Sequence, residues 1–190
     1  MTSLIQSGVS PSIAPVRLYS AMRNPRTRRR TVTTIRVIAL PTDTVLKVLT
    51  TMKSPGYGHP AHTELATGRG PCRHCLRPFR VGQEQRTLFT CNPFYQLAEI
   101  PLPGPVFVHT KLCSRYPEAG GYPPELRPFP VVLDGYSEMQ RLVAQRKAAA
   151  ESQEETIAEM FQNPDIHYVL VRDLEAGCFD FRVERAKESE

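Results

Sequence analysis

The chain has 190 residues, 41% of them hydrophobic and 23% charged, with no tryptophan. This composition fits one globular domain with an extension and excludes wholesale disorder, collagen and coiled coil. The longest apolar runs, such as Val131-Val132-Leu133, fall far short of the roughly 20 residues that a helical span needs, so no membrane span is expected.

The net charge of +5 is unevenly placed: residues 1–42 hold seven arginines (Arg17, Arg23, Arg26, Arg28, Arg29, Arg30 and Arg36) and no acid, which leaves 17 basic against 19 acidic residues in the remainder. The body of the protein is therefore slightly acidic, and nucleic-acid binding by the folded domain is not expected. Residues 1–32 read as a disordered basic leader. An acid-free stretch containing Arg17, Ser20 and Arg23 suits a mitochondrial transit peptide, an upstream translation start before Met22, or a polyanion-binding arm, and these readings stay open. The expected domain is 33–186, followed by a charged tail at 187–190.

Order begins with a strand over 33–40, where β-branched residues roughly alternate. Pro41 ends it, and Thr42 or Asp43 caps a helix whose Val45, Leu46, Val48, Leu49 and Met52 share one face. The chain holds 18 prolines, 13 of them between Pro55 and Pro130, so the middle should be loops and short strands. A long Gly-rich loop is expected over 53–71. The segment 72–76 and a strand over 86–91 read as a β-hairpin, and 106–109 as a further strand. Another strand over 130–136 leads into a helix capped by Ser137 and carrying Met139, Leu142 and Val143. A second capping signal at Ser152 continues it, as one broken helix or two in series. Strands over 166–172 and 178–184 close the domain, with Phe179, Phe181 and Val183 facing inward. The sum is an α+β fold: a mainly antiparallel sheet of short strands with two or three helices, Pro-rich loops and a zinc-stabilised hairpin as an option.

Five cysteines, an odd number, in a chain without a secretory signal point to reduced thiols or metal ligation and to an intracellular setting, cytoplasmic or, with a transit peptide, mitochondrial. Cys72-Arg73-His74-Cys75 is answered by His109 and Cys113, four residues apart. Two thiolates three residues apart can turn toward one ion, and the second pair can complete a tetrahedron, so Cys72, Cys75, His109 and Cys113 form a candidate zinc set. Buried free cysteines and a redox dithiol are the competing readings. His59 and His62 sit in the long loop and read as solvated, because Pro60 breaks any helix that would align them. Gly68-Arg69-Gly70 lacks the Lys-Ser/Thr and helix of a phosphate loop. Cys178 is a candidate nucleophile, with His167 as base, or a packed thiol. Glu151, Glu154, Glu155 and Glu159 read as a solvated helix face.

The segments Pro71-Cys72-Arg73-His74-Cys75-Leu76, Gly104-Pro105-Val106-Phe107-Val108-His109 with Cys113, Tyr122-Pro123-Pro124-Glu125-Leu126, and Gly177-Cys178-Phe179 with Val183-Glu184-Arg185 together resemble, in that order, the family catalogued as domain of unknown function number 1203. The resemblance spans about 34–186 and implies no activity. Some members resemble Pro-Cys-Arg-x-Ser-Leu at the first motif, which implies that zinc belongs to one branch, and Leu170 and Asp173 stand where relatives tend to carry His and Asn. Two functions follow from the residues. One is a zinc-stabilised accessory or binding domain. The other is an enzyme acting on a small anionic substrate in a pocket near Arg73, Arg172 and Cys178.

Overall fold

The β-branched segment before Pro41 forms β1 (Ile35–Ile38) in the computed structural model, which describes residues 34–94 and 104–186. The leader (1–32) and tail (187–190) of the sequence reading lie outside the described residues. Pro41 precedes α1 (Thr42–Thr51), which ends at Met52 in the left-handed conformation. Then come β2 (His62–Leu65), β3 (Gln85–Cys91), β4 (Gly104–His109), a 3₁₀ turn at Pro124–Leu126, β5 (Val131–Tyr136), β6 (Leu142–Ala148), α2 (Gln153–Met160), β7 (Tyr168–Asp173) and β8 (Phe179–Arg185).

All strand pairings are antiparallel. One sheet has five strands in the order β1-β8-β7-β5-β6 and the other has three in the order β2-β3-β4. Sheet therefore dominates the α+β architecture among the described residues, with two α-helices beside it. Among those residues no helix is long and apolar enough to cross a membrane.

The five-stranded sheet packs on both faces. Leu133, Val169, Val171, Phe181 and Val183 meet Ile157 and Met160 of α2, with Tyr122 and Leu126 completing that cluster. On the other face Tyr136, Tyr168, Leu170 and Phe179 join Val45 and Val48 of α1 and Phe89, Val106 and Val108 of the smaller sheet. Gly135 lies under α2, where a Cβ would come within 2.9 Å of Ile166 Cδ1 and Met160 Cε. Gly177, in the turn between β7 and β8, has φ +68°, a conformation that favours glycine.

Several expectations are corrected. The helix after Ser137 is a turn, closed by Ser137 N–H donating to the Arg141 carbonyl at 2.9 Å, and then strand β6. Met139, Leu142 and Val143 are 80%, 53% and 37% exposed, so their spacing never marked a core stripe. The free edge of β5 captures the segment against its helix propensity. The loop at 53–71 contains β2, a short and mostly exposed strand. The segment 72–76 does not pair with β3, whose neighbours are β2 and β4. It closes on itself through a Pro71–Pro78 bridge. Neither Thr42 nor Ser152 caps a helix through its side chain. Finally, the β7–β8 register slips between Val171 and Arg172. Phe179 therefore joins the opposite cluster from Phe181 and Val183.

Candidate metal centre

The turn that carries the first cysteine pair is wound tightly. Cys72 N–H donates to the Arg77 carbonyl at 3.0 Å and Leu76 N–H to the Cys72 carbonyl at 2.8 Å. Leu76 takes a left-handed φ of 57°, unusual for a bulky residue, and its complete burial among apolar side chains offsets the strain. The turn is fastened to β4 by Arg73 N–H donating to the Phe107 carbonyl at 2.9 Å. That bond brings Cys72 and Cys75 to the end of β4, where His109 stands, with Cys113 in the irregular segment that follows.

The ligand atoms of Cys72, Cys75, His109 and Cys113 all lie within 4.8 Å of one another, so these four residues are able to hold a metal ion. Cys72 Sγ and Cys113 Sγ are 3.8 Å apart, and Cys75 Sγ is 3.6 Å from His109 Nδ1. Bonds of about 2.3 Å to sulfur and about 2.1 Å to nitrogen at tetrahedral angles require sulfurs about 3.8 Å apart and nitrogen about 3.6 Å from sulfur. These two edges match that tetrahedron. Three sulfurs and one imidazole with no carboxylate form a donor set suited to zinc and unsuited to magnesium or calcium.

The electrostatics agree with a clustered thiolate site. Hydrogen bonds from the Cys113 and Cys72 thiols hold the Cys75 thiol far below its ordinary range, and the same cluster drives Cys113 upward. Hydrogen bonding to Cys72 and Cys75 pushes His109 up to about 10. The exposed Arg77 guanidinium adds a hydrogen bond to Cys75.

His74, the interior residue of the motif, has a role that the spacing of ligands did not reveal. It is 1% exposed. Its Nδ1 lies 3.3 Å from Cys113 Sγ and its Nε2 3.1 Å from Thr42 Oγ1. Burial lowers its pKa and keeps the ring neutral. With a metal bound and Cys113 a thiolate, the neutral ring would donate from Nδ1 to that sulfur and accept the Thr42 hydroxyl at Nε2, an arrangement suited to orienting a metal ligand from outside the shell. Thr42, expected as a helix cap, is engaged by the site instead.

The other sequence candidates are placed as follows. Cys91 is buried and its thiol is pushed up to about 12, outside the cluster. Cys178, half-buried, lies in the β7–β8 turn with Sγ 3.8 Å from the Ala176 carbonyl, also outside it. Arg73 is 1% exposed. Its Nε donates to the Phe179 carbonyl and its Nη1 to the Pro71 carbonyl, both at 2.6 Å, and its Nη2 pairs with Asp180 at 2.8 Å. Arg172 pairs with Asp134 at 2.7 Å and donates to the Gly177 carbonyl at 3.3 Å. Arg73 is thus an interior strut and Arg172 is engaged internally. His59 and His62 are exposed and outside the cluster.

The family model described as Protein of unknown function (DUF1203) matches residues 69–185, a segment that contains all four candidate ligands. No curated protein and no solved structure matches the chain.

Proposed function

The chain belongs to the DUF1203 family, and from that premise we propose that it is a zinc-stabilised binding or accessory domain in which Cys72, Cys75, His109 and Cys113 hold one ion. The match of the Cys72–Cys113 and Cys75–His109 separations to the edges of a zinc tetrahedron carries this reading. Four protein ligands close the coordination shell and leave no position for substrate or activated water, which favours a structural role. Zinc there supplies a cross-link between the 72–75 turn and the end of β4. His74 holds the Cys113 sulfur and Arg77 holds Cys75. Arg73 carries the order of the turn into the five-stranded sheet through Asp180. The engagement of Arg73 and Arg172 by internal acceptors favours this reading over an enzyme for anionic substrates.

Elemental analysis of protein purified without chelator tests the proposal. One zinc per chain is expected, removed by a strong chelator together with a fall of at least several degrees in melting temperature. Metal-free protein with an unchanged melting temperature would refute it.

A further inference from the structure

A cleft beside the metal turn has its own chemistry. It is a small cleft, partly open to solvent, with Pro71, Leu126 and Phe129 in its walls. Tyr122 and Asp180 also line it, with Arg69 and Asp173. Arg69 is exposed.

Two buried polar groups in this cleft lack what buried polar groups normally have. Tyr122 is 1% exposed, and its hydroxyl has no hydrogen-bond partner. Asp180 is 5% exposed. Its Oδ1 lies 2.8 Å from Arg73 Nη2, but the pair is not aligned as a hydrogen bond, so the oxygen has no directed donor. Asp180 falls where the β7–β8 register slips, leaving it as the residue inserted between Phe179 and Phe181. Bulges of this kind re-aim a side chain beside a site.

The missing element is a donor with several hydrogens next to apolar surface. A primary ammonium has three N–H groups, enough to reach a carboxylate and a phenol oxygen together, and charge-assisted bonds of this type are the stronger ones. We propose that this cleft binds a small primary amine with a compact apolar body, its ammonium donating to Asp180 and the Tyr122 hydroxyl while the body lies along Leu126 and Phe129. None of the groups lining this cleft is a candidate metal ligand.

Isoamylamine titrated into the full chain, followed by amide NMR, tests it. Saturable shifts centred on Gly70, Tyr122 and Asp173 are expected, with isoamyl alcohol and isovalerate binding at least tenfold more weakly. Tyr122→Phe should weaken the amine about tenfold, the loss of one charge-assisted bond, while the melting temperature holds or rises because an unpartnered hydroxyl has been removed. Equal binding of amine and alcohol, tighter binding of isovalerate, or no saturation overturns the proposal. So does a Tyr122→Phe protein that melts lower with amine binding unchanged, since the hydroxyl is then satisfied by buried water.

Discussion

Arg73 and Asp180 form an ion pair at 2.8 Å with both side chains almost wholly buried, 2% and 7% exposed. The arginine belongs to the cysteine turn and the aspartate to β8, so this pair, with the bond from Arg73 Nε to the Phe179 carbonyl, ties the candidate metal centre to the larger sheet. Burial raises the Asp180 carboxyl to about 6 even though Arg73 pulls it down, so the ion pair is complete only above that pH. Removing one partner strands a charge in the interior. Asp180→Asn is therefore expected to destabilise by about 3–5 kcal/mol, while the apolar double variant Arg73→Met/Asp180→Leu should recover much of that loss. Urea denaturation of both variants measures the difference.

His74 is expected to set metal affinity without being a ligand. His74→Ala should lower zinc affinity by about 10–100-fold, in the range found for residues that orient metal ligands. Thr42→Val, which removes only the bond to Nε2, should act in the same direction by less. Competition against a chromophoric chelator reads both, and the zinc stoichiometry should remain one.

The pH dependence of metal uptake follows from the cluster. In the metal-free chain at neutral pH, His109 holds its proton because its pKa is pushed up to about 10, and Cys113 holds its own because its pKa is also raised. Taken alone, the raised His109 pKa contributes stability to the metal-free fold that is fully present below about 6.5, the ordinary histidine value, and is lost as pH rises through about 10. Zinc displaces at least those two protons, so apparent affinity should climb with pH and collapse on acidification. Calorimetry in two buffers of different ionisation enthalpy counts the protons released.

Thiol labelling separates the five cysteines. Native loaded protein should show one accessible thiol, Cys178, because Cys91 is buried with its pKa raised to about 12 and the other three are the proposed ligands. Chelation should add Cys72, Cys75 and Cys113 to the labelled set while Cys91 stays inert. Mass spectrometry of the labelled peptides identifies each site.

The Cys/His cluster was legible because it depends on residue type and local spacing: Cys72 lies three residues from Cys75, and His109 four from Cys113. β5, β7 and β8 were legible from their β-branched and aromatic runs. β6 was not, since an edge strand that exposes Gln145, Arg146 and Lys147 has a helix-forming composition and takes its structure from β5. The position of His74 against Thr42 is not legible in the sequence, because nothing local shows that α1 brings the two together. The Asp180 slip was hidden for a similar reason. Alternation along β8 predicts one face for Phe179, Phe181 and Val183, and only pairing with β7 shows where the register shifts.

X-ray absorption at the zinc edge, on the full chain purified without added metal, tests the central claim most directly. The account predicts a four-coordinate shell of three sulfurs at about 2.3 Å and one imidazole nitrogen at about 2.0 Å, with one sulfur lost in Cys113→Ser. A shell dominated by oxygen, or one that Cys113→Ser leaves unchanged, would contradict it.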